Sequence, residues 1–218
     1  MITLGTLETK LSFALGTSET NLMTDEKRID AINKAIEVVL TQYPIPQYVV
    51  SSNLAFTSGI AELPENCLMP LKLNDPTQAS VVYSRVNWDD FESNISYTYT
   101  IAWDAGLDAE HIAIYPTTAT TLQFWYVQNF TQLETDTDTI RLNIWWADAI
   151  AAKAAEFLLL DTASFNRAEA KRNVADDLIA KAWQIERARI TGVQDQRLRS
   201  IYSKYSLLQQ TDASITWN

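Results

Sequence analysis

The chain has 218 residues, 47% of them hydrophobic and only 20% charged, so it is long enough and apolar enough to bury a substantial core in one domain or in one domain with a large insertion. Its net charge of −10 argues against a protein that grips nucleic acid, because gripping phosphates takes a surplus of Lys and Arg. One cysteine, Cys67, and one histidine, His111, leave no material for a disulfide framework, a thiolate metal cluster or a His-based triad, and no run of apolar residues approaches membrane-spanning length.

Residues 1–23 are rich in Thr and Ser, show little periodicity, and are expected to form an N-terminal arm; Glu8 and Lys10 interrupt the short apolar pieces, which is not the order of a signal peptide. The first predicted helix follows. Thr24 or Asp25 caps it, Asp25 and Glu26 sit in its first turn, and Ile29, Ile32, Ile36, Val39, Leu40 and Tyr43 recur at helical spacing until Pro44 and Pro46 stop it. From Leu54 to Val127 the period shortens to β-branched and aromatic runs such as Val81–Val86, Tyr97–Trp103, Ile112–Tyr115 and Leu122–Val127. Ser58-Gly59, Leu63-Pro64-Glu65-Asn66 and Asn74-Asp75-Pro76 separate the earlier runs, and the stretch is read as an antiparallel β module.

The helical period then returns. Trp145, Trp146, Ile150, Ala154, Phe157 and Leu158 mark one broad face, and Ala149, Ala151, Ala152 and Ala155 permit close helix approach. A second long helix runs from about Ser164 to Gly192, with Ala168, Val174, Leu178, Ala182, Ile185 and Ile190 as candidate buried positions. Beyond it the chain is expected to stay helical to about Leu208 and then to become polar, with isolated apolar residues at Ile215 and Trp217. The expected class is α+β: a helical bundle (24–46 and 140–192) built from one N-terminal helix and two long C-terminal ones, an inserted antiparallel β module (47–139), and an extended C-terminal helix or tail for docking (193–218).

Charge is segregated along the chain. Residues 1–166 carry 8 basic and 21 acidic side chains, a net of −13, whereas residues 167–205 carry 9 and 5, a net of +4. A solvated helix face accounts for such a pattern, and so does head-to-tail contact between copies.

No constellation reads as an active site. Glu134, Asp136 and Asp138 alternate as in a calcium loop, but counting twelve from Asp136 puts Ala147 where the loop needs Glu, and Arg141 stands where it needs Gly. The adjacent pairs Asp89/Asp90 and Asp176/Asp177 point apart on any regular element, so neither makes an acid/base pair across a cleft. His111 beside Glu110 lacks a nucleophile and reads as an ordinary surface or core residue. With five glycines in all there is no phosphate-binding loop, and Trp125, Trp145 and Trp146 read as core or interface before they read as a sugar platform. The sequons at Asn94 and Asn129 matter only in a secreted chain.

The order helix, β module, helix, helix, tail resembles the head-to-tail adaptor (connector, or head completion) proteins of tailed bacteriophages. The resemblance is carried by Arg28–Tyr43 with Pro44 and Pro46, by Ala61-Glu62-Leu63-Pro64-Glu65-Asn66-Cys67-Leu68, by Ile112-Ala113-Ile114-Tyr115-Pro116 and Leu122-Gln123-Phe124-Trp125-Tyr126, and by Leu133, Asp136 and Asp138 leading into Trp145-Trp146-Ala147-Asp148-Ala149-Ile150. It covers roughly residues 24–190.

The resemblance implies a structural virion protein without enzymatic activity or cofactor. Such a protein forms a ring, usually of twelve copies, between the portal protein and a downstream tail protein in the virion neck. It is assembled in the host cytoplasm and extends a channel through which genomic DNA passes without sequence-specific binding and with no membrane involved. An acidic body suits such a conduit, because repulsion keeps phosphates from being held. On this reading Arg187, Arg189, Arg197 and Arg199, with Tyr202 and Tyr205, are expected to bind acidic surfaces of the portal or of neighbouring copies, and Ile215 and Trp217 to anchor the tail in a groove of the portal. A carbohydrate- or protein-binding β module on a helical stalk, with Trp88, Trp103 and Trp125 facing solvent, is the alternative, and a carboxylate enzyme a more distant one.

Overall fold

The computed structural model describes residues 1–16, 23–78, 81–87, 91, 97–104, 109–118 and 121–192. The chain is α+β, as expected, and divides into two compact units: residues 1–48 with the chain from residue 130 onward, and residues 49–129.

In the first unit, β1 (Ile2–Thr3) leads directly into α1 (Leu4–Leu15). Residues 1–15 are therefore not an arm. Leu4, Leu7, Leu11 and Leu15 recur at helical spacing and are all buried, each contributing roughly 2 kcal/mol of burial. The Thr3 hydroxyl caps the helix by accepting from the Thr6 N–H at 3.2 Å. The start of α1 is tied further: β1 pairs with β9 (Thr139–Ile140), and the Leu4 and Gly5 N–H groups donate to the carbonyls of Asp138 and Asp136.

Helix α2 (Asp25–Gln42) begins at Thr24, whose hydroxyl accepts from the Lys27 N–H, and buries Ala31, Ile32, Ala35, Ile36, Val39 and Leu40. Helix α3 (Ala147–Asp161) is buried along most of its circumference, and its alanines let α1, α2 and α4 (Phe165–Gly192) all pack on it. The buried face of α4 is Ala168, Ala175, Ile179, Ala182, Trp183 and Ile190, whereas Val174 and Ile185 are about half exposed, at 48% and 46%. Sequence periodicity placed those two inside. The stripe instead runs through Ala168, Ala175 and Ala182 with Ile179, Trp183 and Ile190, and its alanines allow α4 to lie close against the alanines of α3.

The second unit is a seven-stranded sheet in the order β2 (Val49–Ala55), β8 (Thr121–Gln128), β4 (Cys67–Asn74), β5 (Val82–Arg85), β6 (Thr98–Asp104), β7 (Ala109–Tyr115), β3 (Ile60–Glu62). The expected purely antiparallel module is corrected at one place: β5 and β6 run parallel, through Ser84↔Thr98 and Arg85↔Tyr99. The module is also shorter than 47–139, because Thr139–Ile140 pairs with the chain's second and third residues in the other unit. Phe56, Leu73, Tyr83, Tyr99, Ile112, Ile114, Leu122, Phe124 and Tyr126 form the core of the sheet, each from a strand or turn whose alternate residues face inward.

The two edge strands, β2 and β3, are consecutive in the chain and are joined by a turn in which Thr57 and Ile60 exchange backbone hydrogen bonds of 2.9 and 3.0 Å. The sheet therefore curls until its edges meet at one end, a near-barrel with a seam. Gly59 makes that turn, at φ +82°, a conformation unfavourable to any residue with a Cβ. No helix among the described residues is long and apolar enough to cross a membrane.

Candidate functional site

In the helical unit the most organised polar site is Glu186, on the inward face of α4 and 1% exposed. Its carboxylate accepts from Asn143 Nδ2 at 2.9 Å, Trp145 Nε1 at 3.1 Å, Trp146 Nε1 at 3.4 Å and Gln47 Nε2 at 3.5 Å, while Arg189 Nη1 lies 3.5 Å away. The Arg189 guanidinium also lies over the Trp145 ring, 5.2 Å from its centroid. A buried carboxylate surrounded by donors from the 144–146 turn, from the end of α2's exit loop and from its own helix is a structural clamp, with one cation at its rim. The sequence presents Glu186 as one more charge of α4, although it falls at helical spacing with the buried Ile179, Ala182, Trp183 and Ile190.

Of the residues expected to bind the portal or neighbouring copies, Arg187 and Arg189 lie exposed on the last turns of α4, with Arg189 held by Glu186 and Trp145. Arg197, Arg199, Tyr202, Tyr205, Ile215 and Trp217 lie outside the described residues. Trp88, Asp89 and Asp90 do as well, so the pairing of the two aspartates is not described. Trp125 is half-buried on β8, Trp145 donates to Glu186 and Trp146 is fully buried.

The carboxylates that imitate a calcium loop are engaged with the chain itself. The Asp138 carboxylate accepts the N–H groups of Glu134 and Thr135, both at 2.8 Å, and these bonds hold its carboxyl below the usual carboxylate range. The carbonyls of Asp136 and Asp138 take the first N–H groups of α1, so this loop fastens the N-terminus. Beside it, burial pushes the Glu8 carboxyl up, the Arg28 guanidinium opposes the shift, and a hydrogen bond with Asp136 adds to it. No group of three or more metal-ligating side chains occurs among the described residues.

In the β unit, His111 is 5% exposed on β7, paired with Glu62 of β3 and Ala102 of β6, and its Nδ1 has no hydrogen-bond partner among the described residues. Its ring lines a groove of about 680 Å³ that runs along the seam between β2 and β3, walled by Asn53 and Leu54 on one side and by Ile60, Leu63 and Pro64 on the other. Glu62 and Glu65 stand exposed at its rim. Cys67 is inert by comparison: burial first, then the nearby Glu110 carboxylate, pushes its thiol up to about 12. The groove escaped the sequence reading because it arises from strands at opposite ends of the sheet order. His111 carries no local motif.

No protein-family model matches the chain, and no curated protein matches it.

Proposed function

We propose that the chain is a head-to-tail adaptor of tailed bacteriophages, a structural protein whose copies form a ring, of twelve by the family's habit, between the portal and a downstream tail protein. In this reading residues 1–48 and 130–192 make a helical bundle, and the β unit is an insertion carried on it. The observation that carries the reading is this division of the chain: two separated segments complete one helical unit, and the segment between them folds as a sheet with its own core.

The charge distribution supports the same reading. The β unit carries 2 basic and 9 acidic side chains, a net of −7, and residues 167–205 have a net of +4, so opposite signs are available for contacts that repeat around a closed ring. An acidic conduit repels phosphate, and DNA passes through it without being held. The ring is assembled in the host cytoplasm and resides in the virion neck, and Arg187 and Arg189 form part of its contact with the portal or the next copy.

Native mass measurement and negative-stain microscopy of the purified chain, alone and mixed with the portal protein encoded beside it, test the proposal. Rings seated on portal particles are the expected result. A chain that stays monomeric and ignores the portal overturns it.

A further inference from the structure

We propose that the seam between β2 and β3 is a strand-acceptor site, and that its occupant is residues 211–218 of a second copy of this chain. The argument begins with an edge. β2 pairs with β8 through seven consecutive residues, Val49↔Val127 to Ala55↔Thr121, without a bulge. Its sequence, Val-Val-Ser-Ser-Asn-Leu-Ala, contains no charge and no proline. Edge strands are ordinarily protected by a charge, a proline, a bulge or a cover, because their free N–H and C=O groups template pairing with another chain. Among the described residues no ladder joins β2 to β3: the isolated bridge Thr57↔Ile60 lies in the turn beyond the end of β2, and the ladder of β3 is with β7. Beside these edges lies the groove described above, lined in part by the buried His111.

The occupant is read from the sequence. From Asp212 onward the chain alternates strictly: Ala213, Ile215 and Trp217 are apolar, while Asp212, Ser214, Thr216 and Asn218 are polar. That is the signature of a strand with one buried face, and it is carried by β-branched and aromatic residues. Seven residues in extended form span roughly 23 Å, the length of a seven-residue strand such as β2. Ile215 and Trp217 then face the apolar wall of Leu54, Ile60 and Leu63.

Charge complementarity supports this occupant. The net of −7 on the β unit makes two such units repel, whereas the segment leading to residue 211 carries Arg197, Arg199 and Lys204 and is drawn to the acidic rim at Glu62 and Glu65. On this proposal Ile215 and Trp217 seat in a neighbouring copy, where the sequence reading seated them in a groove of the portal. The inference does not depend on the portal: a chain that ignores the portal can still donate this strand, and a chain that binds the portal need not.

His111 is the chain's single histidine, so its imidazole proton signals are unambiguous in a tag-free protein. Full-length chain bearing Ile215→Asp and Trp217→Asp, which leaves its own tail unfit, is titrated with a synthetic peptide of residues 209–218. The His111 signals should shift saturably, and amide exchange across β2 and β3 should slow by about tenfold or more at saturation. The same peptide carrying both Asp substitutions should do neither. Unmoved His111 signals at peptide saturation of the solubility range, or an equal response to the doubly substituted peptide, overturn the site. A wild-type chain that is monomeric by mass yet already shows the peptide-shifted His111 signals overturns the assignment to a second copy.

Discussion

At the scale of single residues, the helical unit relies on buried polar groups that hydrophobic patterning cannot reveal. Asn33 is 9% exposed on the apolar face of α2; its Nδ2 donates to the Leu133 carbonyl and its Oδ1 accepts from the Leu133 N–H, both at 3.0 Å, as one strand pairs with another. Glu186 does the same for α4 with several partners at once. Removing its carboxylate leaves two indole N–H groups and the Asn143 amide without their acceptor in a buried site, and a deletion of that kind costs several times what one exposed hydrogen bond contributes. Glu186→Ala is therefore expected to lower stability by about 3 kcal/mol in urea denaturation, and Glu186→Gln, which keeps one oxygen for the indoles, by about half as much. A loss below about 1 kcal/mol for the alanine variant would mean that solvent replaces the carboxylate and that the clamp is incidental.

Among the elements, the turn between β2 and β3 is the place where one atom decides the geometry. A Cβ on Gly59 would lie 2.6 Å from Thr117 Cγ2 and 2.9 Å from Thr117 Cβ, on a backbone already at φ +82°. Two penalties coincide there, one steric and one conformational. Gly59→Ala should cost about 2–3 kcal/mol, and adding Thr117→Gly should restore only the steric part, leaving a residue of roughly 1 kcal/mol. Full recovery in the double variant, read from melting midpoints, would show that the backbone relaxes out of the left-handed region.

The same element scale shows what the sequence made legible. The helices α2, α3 and α4 and the stretches of β4 to β8 follow their period, because burial on one face imposes it. Helix α1 was missed although Leu4, Leu7, Leu11 and Leu15 carry the period plainly: its Thr and Ser residues suggested a loop, and the burial of four leucines outweighs that propensity. The parallel pairing of β5 with β6, the seam and the His111 groove are products of strand order, which no local pattern encodes. Of the expected interaction residues only Arg187 and Arg189 fall among those described, and the clamp that holds Arg189 came from a glutamate that the sequence presents as one more helix charge.

For the molecule as a whole, the decisive fact is where the chain crosses from one unit to the other. Val49 and Val127 are paired residues of adjacent strands, so the β unit receives and returns the chain side by side. A segment with adjacent ends can be removed without stretching what remains. The hydrogen bonds that fasten the helical unit, Asn33 to Leu133, Arg141 N–H to the Tyr48 hydroxyl, and the donors around Glu186, all run between residues outside 49–129. Deleting 49–129 and joining Tyr48 to Phe130 through two glycines should therefore leave a chain with full helical circular dichroism and a cooperative melt. The deletion also removes the net of −7 and leaves −3, and with it the acidic surface that the proposed function sets against the +4 segment. If the proposed function holds, the shortened chain should sediment as a monomer at concentrations, and at the low ionic strength, at which the full chain is expected to associate with itself or on the portal. Loss of the helical signal on deletion would show that the sheet is part of one folding unit with the helices; persistent association would place the contact between copies within the helical unit alone.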